Sequence, residues 1–210
     1  YDLDGFDLAL AAIVREKTIT NDFVLNTPER IIVVTGPNQG GKTTFARAFG
    51  QIHYLASLGL CVPGREAALY LFDQILTHFG REEDLSTLSG KLQDDLMRLH
   101  ELLGKATSQS IIIINEIFAS TTLSDALSLG GHMMDAILAL DAPTVVVTFL
   151  DELATYGPEM VSMMSTVKKD DPAERTYKII RKPPDGLAYA MYIVGKHDLT
   201  YEQLSRRLKK

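Results

Sequence analysis

Four β-branched residues, Ile31-Ile32-Val33-Val34, run straight into a glycine-bearing loop, Thr35 to Gly41, and then into Lys42-Thr43-Thr44 at the head of an amphipathic stretch. This succession constrains the fold more than anything else in the chain. A β-branched run with no polar alternate suits a strand buried on both faces of a sheet. Phe45, Phe49, Ile52 and Leu55, spaced four, three and three, give the next segment the apolar stripe of a helix. A doubly buried strand needs helices on both sides of its sheet, so the chain reads as α/β. Gly36-Pro37-Asn38-Gln39-Gly40-Gly41-Lys42-Thr43 satisfies G-x-x-x-x-G-K-[ST] in full, in the strand–loop–helix setting the motif requires. The glycines permit a tight turn with N–H groups aimed inward, and the helix N-terminus adds its positive end. Lys42 is placed to neutralise β- and γ-phosphates, and Thr43 to put its hydroxyl on Mg²⁺. ATP or ADP with Mg²⁺ is therefore the ligand expected along Gly36, Pro37, Asn38, Gln39, Gly40, Gly41, Lys42, Thr43 and Thr44.

Two further buried strands are legible: Ile111-Ile112-Ile113-Ile114 and Val145-Val146-Val147. Leu92, Leu96, Leu99 and Leu103 mark one intervening helix, predicted to stop near Gly104, and Leu127, Gly130, Met134 and Ile137 another. Strands separated by helices imply crossovers and a parallel sheet. Residues 1–30 read as an edge strand or a short helix, and the helix after the loop should stop near Gly59. Leu69 to Phe79 reads as a strand and then a loop. Val161, Met163, Ser165 and Val167 alternate, as do Tyr177, Ile179 and Arg181, around a polar stretch at 168–174; this predicts a C-terminal antiparallel hairpin. A helical tail over about 185–210 should end in a helix from Thr200 to Leu208. The expected fold is a P-loop nucleoside triphosphate hydrolase: a mostly parallel central sheet with flanking helices and that hairpin.

Such an enzyme needs an acidic group at the end of a neighbouring strand. The isoleucine run delivers Asn115-Glu116 to the sheet's C-terminal edge, where such sites form. Asn115 offers Mg²⁺ an amide oxygen without charge, a weaker ligand than a carboxylate. Glu116 is the candidate to orient and polarise an attacking water.

Among the 210 residues, 27 acidic and 21 basic give a net charge of -6. An acidic chain is a poor stand-alone binder of nucleic acid, and the basic cluster Arg206, Arg207, Lys209 and Lys210 reads as a solvated helix face. The single cysteine, Cys61, excludes an internal disulfide and points to a reducing, cytoplasmic setting; within Leu58 to Val62 it is expected to be buried. The most apolar stretch, Ala136 to Leu150, is broken by Asp141 and Pro143, so no membrane partner is implied. His53, His78, His100, His132 and His197 are too scattered for a local metal cluster and read as surface or boundary residues. Opening on Tyr1, the chain reads as a fragment of a longer protein.

These motifs together resemble the C-terminal ATPase domain of the MutS family of DNA mismatch repair proteins, an ABC-type ATPase, over nearly the whole chain. Thr20-Asn21-Asp22 is similar to the family's Pro-Asn-Asp, which places Asn21 near the adenine. Thr35 to Thr44 is close to the family's loop, including its Pro-Asn pair. Leu58 to Pro63 resembles a G-x-x-V-P helix ending, and Asp73 to Gly80 the stretch D-x-I-F-T-R-x-G. Leu85-Ser86-Thr87-Leu88-Ser89-Gly90 resembles the signature loop, in a form like the MutS-related branch; it implies that Ser86 reaches the γ-phosphate of a partner subunit. Gly186 to Ala190 is similar to G-x-S-Y-G. The resemblance implies a homodimer, with Ser120-Thr121-Thr122 at its interface, and DNA contact through domains absent from this sequence. There are departures: Asn115 stands where the family has Asp, Phe149 where it has His, and Phe118-Ala119-Ser120 where it has a glycine-rich loop. Hydrolysis coupled to conformational change is one implied function. The alternatives are a module that keeps ATP without hydrolysing it, or an ABC ATPase of another pathway.

Overall fold

The computed structural model describes residues 4–14, 18–80, 90–168, 170–172, 174–186, 194–195 and 198–208. Its centre is a six-stranded sheet. In chain order the elements are α1 (Leu8–Ile13), β1 (Ile31–Thr35), α2 (Lys42–Ser57), β2 (Ile75–His78), α3 (Lys91–Lys105), β3 (Ile111–Asn115), α4 (Leu123–Leu140), β4 (Thr144–Val147), a 3₁₀ turn (Asp151–Thr155), β5 (Met160–Val167), β6 (Arg175–Arg181) and α5 (Tyr201–Leu208). The spatial order is β2-β3-β4-β1-β5-β6. Every pairing is parallel except β5 with β6, which form the antiparallel hairpin expected from their alternation.

β1 lies between β4 and β5, with Val33 opposite Val146 on one side and Ser162 on the other. Its residues Ile31 to Val34 have no solvent exposure. Because side chains alternate across a strand, Ile31 and Val33 join one core and Ile32 and Val34 the other. The first core holds Ile112, Ile114, Leu99 and Leu102 of α3, and Met133, Met134 and Ile137 of α4. The second holds Ile111, Ile113, Phe45 and Phe49 of α2, and Ile179 of β6. This double burial is what the unbroken β-branched runs require, at about 25 cal/mol per Å² of apolar surface removed from water.

In α4, the two glycines allow close packing. A Cβ at Gly130 would lie 2.8 Å from Leu153 Cδ1, and one at Gly131 3.3 Å from the Tyr156 ring. The 3₁₀ turn therefore sits against the helix where its side chains are missing.

Several expectations change in detail. The segment before β1 forms a short helix, held by Asp7: its carboxylate accepts from Leu10 N at 3.0 Å and from Gln51 Nε2 at 3.1 Å, with Arg47 Nε 3.3 Å away. Within Leu69 to Phe79 only the last part is a strand. α3 runs one residue past Gly104, and Leu96 is partly exposed while Leu102 fills the core. Cys61 is exposed: α2 ends at Ser57, Gly59 turns the chain at φ 72°, and residues 60–62 belong to no strand among the described residues. No helix among the described residues is long and apolar enough to cross a membrane.

Two histidines expected near the surface are buried. His53 sits among Phe23, Phe49 and Phe72, with Nδ1 2.8 Å from the Phe49 carbonyl. His78 Nε2 lies 3.2 Å from Asp95 Oδ1, joining β2 to α3. Burial pushes both imidazoles below their ordinary pKa, against the Phe49 carbonyl for His53 and the Asp95 charge for His78. The unfolded chain thus takes up protons that the folded chain resists. The stability from both neutral rings is present above about pH 6.5 and is lost as pH falls through the lowered folded values. The thermal midpoint should drop as pH is lowered from 7.5 to 5.5, and His53→Leu should flatten that slope. Unfolding curves across this range measure both effects.

Candidate nucleotide-binding site

The parallel strands end together at one edge of the sheet, and there β1 opens into the glycine loop. Gly36 has φ 106° and Gly41, the residue before α2, φ 89°, both readily adopted only by glycine. Gly40 is required for space instead. A Cβ there would meet Ser165 Oγ at 2.4 Å and the Pro37 carbonyl at 2.9 Å, while one at Gly36 would meet the same hydroxyl at 2.8 Å. The loop is therefore seated directly on β5, and a side chain at either glycine would lift it off. The Ser165 hydroxyl is buried without a hydrogen-bond partner among the described residues.

Lys42, the first residue of α2, is 4% exposed. Its ammonium turns back into the loop, donating to the carbonyls of Gly36 at 2.9 Å and Pro37 at 3.1 Å, with Asn38 Oδ1 at 3.5 Å. Burial pushes its pKa down; the Glu116 charge opposes this, Arg175 adds to it and Asp151 opposes it. A cation so held has lost much of its water and sits on neutral acceptors that an anion can outbid. Burial likewise raises the Asp151 carboxyl, with Lys42 opposing.

One residue further on, Thr43 Oγ1 donates to Asn115 Oδ1 at 2.9 Å. This joins the start of α2 to the end of β3. Glu116 then leaves the strand at φ 53°, its N–H donating to the Val147 carbonyl at 2.9 Å. Its side chain is exposed, while Phe118, at φ 62°, is buried and anchors the turn. The turn that replaces a glycine-rich loop is thus held by an aromatic plug. Phe149, just beyond β4, is about half exposed.

A cleft of about 660 Å³ runs along the loop. Gln39, Gly40, Gly41, Lys42, Thr43 and Thr44 line its floor, with Glu116 beside them; Leu10, Val14, Thr18, Ile19, Asn21 and Tyr177 form the opposite wall. The floor is polar and rich in backbone N–H groups and the wall largely apolar, a division that suits phosphates at one end and a flat ring at the other. Asn21 is at the wall, with its amide committed to protein partners. Oδ1 accepts from Ile179 N at 2.7 Å, and Nδ2 donates to the Tyr177 carbonyl at 3.2 Å. Gly36, Pro37 and Asn38 form the near end of the loop, with Pro37 buried and Asn38 exposed. Ser86 and the rest of 85–89 lie outside the described residues.

Sequence reasoning missed Ser165, Asp151, Arg175 and the wall residues Leu10, Val14, Thr18, Ile19 and Tyr177. Tyr177 belongs to a hairpin recognised by its alternation, but only the pairing of β5 beside β1 brings that hairpin to the loop. Among the described residues no group of three or more His, Cys, Asp or Glu forms a cage for a metal. The Thr43 hydroxyl and Asn115 amide oxygen are hard donors. They fit Mg²⁺ in the way that ion is usually held, by one or two protein oxygens together with phosphates and waters.

A mostly parallel sheet with this loop at its carboxyl edge defines a P-loop nucleotide-binding fold. Residues 32–195 match the family described as MutS domain V. The chain belongs to the MutS family and is a nucleotide-binding domain of its ATPase type. It is 31% identical over 194 residues to Endonuclease MutS2 of Thermus thermophilus, covering 90% of this chain and 25% of that protein. It is 28% identical over 207 residues to the DNA mismatch repair protein MutS of Thermotoga maritima, covering 92% and 26%. The MutS protein homolog him-14 of Caenorhabditis elegans is 26% identical over 182 residues, covering 85% and 22%. The chain thus spans about a quarter of the length of these relatives.

The Thr43–Asn115 contact yields a test of metal binding. Asn115→Asp puts a carboxylate beside the Thr43 hydroxyl and should lower the Mg²⁺ concentration needed for half-maximal nucleotide binding by about tenfold, a carboxylate being the better ligand. Titration of Mg²⁺ against nucleotide binding in both proteins reads this directly; superimposable curves would mean that the metal does not sense position 115.

Proposed function

We propose that this chain binds and hydrolyses Mg-ATP as the motor of a MutS-like DNA-processing protein. The observation that carries this reading is the complete phosphate loop, folded with the Lys42 ammonium buried on its own carbonyls at the floor of the cleft. The loop N–H groups and the N-terminus of α2 would take the phosphate oxygens, and Lys42 would exchange its carbonyl partners for β- and γ-oxygens. Thr43 and Asn115 would hold Mg²⁺, which supplies charge neutralisation on the phosphates. Glu116 would accept a proton from water as that water forms a bond to the γ-phosphorus. The bond to the β-bridging oxygen breaks, giving ADP and inorganic phosphate. The adenine ring would lie against Leu10, Val14, Ile19 and Tyr177.

A second reading is a module that holds ATP without turnover. It draws on Asn115, which lacks the charge of a carboxylate, and on Phe149, which offers no proton or hydrogen bond to the phosphate. Turnover separates the two. Lys42→Ala should weaken Mg-ATP binding at least tenfold by calorimetry, and equal affinity would remove the nucleotide reading. Glu116→Gln keeps shape and hydrogen bonding but loses the base. Phosphate release should fall by about 10²-fold or more with little change in affinity, whereas an unchanged rate would take that role from Glu116.

Assembly follows from the open side of the site. The loop, Lys42 and Glu116 approach the ligand from one chain, and a second copy would close it with Ser86, giving two equivalent sites about a two-fold axis. DNA would be engaged through parts of the protein outside this sequence, in keeping with the net charge of -6. An exposed, unpaired Cys61 accords with a reducing, cytoplasmic setting. In sedimentation runs the dimer fraction should rise with a non-hydrolysable ATP analogue and not with ADP, and Ser86→Arg should abolish the rise. A chain that stays monomeric with the analogue would exclude ATP-driven pairing of this domain.

A further inference from the structure

The loop is supported unevenly. Gly36 and Gly40 rest on Ser165 and Pro37 is buried, but the tip, Asn38 and Gln39, is exposed, with Gln39 at φ 60°. Support at the tip comes from the other end of the chain. Arg175, the first residue of β6, donates from Nε to the Asn38 carbonyl at 3.0 Å and from Nη1 to the Pro172 carbonyl at 2.9 Å. One guanidinium thus spans the phosphate loop and the turn of the hairpin. It starts just past a register slip between Ser165 and Val167, an irregularity of the kind that re-aims side chains at a strand end.

We propose that Arg175 is a positioning residue that fixes Asn38 and Lys42 for the terminal phosphate, so that the chain distinguishes a nucleoside triphosphate from a diphosphate. This rests on the nucleotide-binding reading above and adds a residue that the loop motif does not contain. Asn38 is held by Arg175 through its backbone, while its side-chain oxygen lies 3.5 Å from the Lys42 ammonium. Lys42 serves the β- and γ-phosphates in this motif, so Asn38 borders the γ end. The Arg175 guanidinium also lies on the backbone of the residue whose side chain faces the Lys42 ammonium. It adds positive potential where a triphosphate carries more negative charge than a diphosphate. A lysine cannot reproduce this arrangement, because the fork reaches two carbonyls from one rigid plane and an ammonium is a point charge.

An arginine that merely pinned the hairpin to the sheet would matter equally for both nucleotides. The test therefore reads a ratio. Calorimetry on the chain, Arg175→Gln and Arg175→Lys is run with Mg-ADP and with a non-hydrolysable Mg-ATP analogue. The Gln variant should lose about tenfold in affinity for the triphosphate, the scale of one charge-assisted hydrogen bond, and less than about threefold for the diphosphate. The Lys variant should recover little of the difference, and melting of the ligand-free proteins checks that each variant folds. If the Gln variant does not fold, the same ratio in the Lys variant decides. Equal losses for the two nucleotides, no loss, or full recovery with Lys would each overturn the proposal. A parent chain that binds neither nucleotide would instead remove the reading on which it rests.

Discussion

The structure turns on the complete burial of β1 between β4 and β5. Four side chains with no solvent exposure commit the strand to a core on each face, and the strand ends where the glycine loop begins. The seat of the loop is set by β5, whose Ser165 leaves no room for a side chain at Gly36 or Gly40. The far support of the loop is set by β6, which is present because β5 offers it an edge. Removing β1 from the centre would separate Thr43 from Asn115 and the hairpin from the loop together. The hydrophobic cores thus fix the relative positions of groups drawn from α2, β3 and β6.

Electrostatically the site is a buried cation in a mixed setting. Lys42 feels two carboxylates, Glu116 and Asp151, and one further cation, Arg175. With an asparagine at the end of β3, the strand that faces Thr43 brings no charge of its own to that contact. The amide still accepts the Thr43 hydroxyl, so the geometry of the junction is kept while its affinity for a hard cation is reduced. Shape and charge, which one aspartate would supply together, are here separable.

The central strands and the loop were legible because they rest on local rules. Unbroken β-branched runs at 31–34 and 111–114 admit only a doubly buried strand, and the loop motif is contiguous in sequence. β2 is hard to place from sequence because its four residues, Ile-Leu-Thr-His, lie at the sheet edge with two half-buried, one exposed and one buried, and carry no clean period. The expected burial of Cys61 fails because Gly59, inside the apolar run, turns the chain at φ 72° just past the end of α2 and leaves Cys61 exposed. His53 and His78 were misread in the opposite sense: an aromatic cluster and an acidic partner, brought together only by the fold, compensate their burial. The cleft wall and Arg175 depend on strand order, which no local pattern specifies.

The stitch between Asn21 and β6 has a consequence for how the molecule is made. The Asn21 side chain closes onto the Tyr177 carbonyl, 156 residues further along the chain. During synthesis the phosphate loop emerges before the strand whose carbonyl receives the Asn21 amide. A nascent chain arrested before β6 would carry every residue of the loop motif and still lack Tyr177, the one wall residue that β6 supplies. The wall that Asn21 and Tyr177 form together is therefore complete only once β6 has docked on the edge that β5 leaves open.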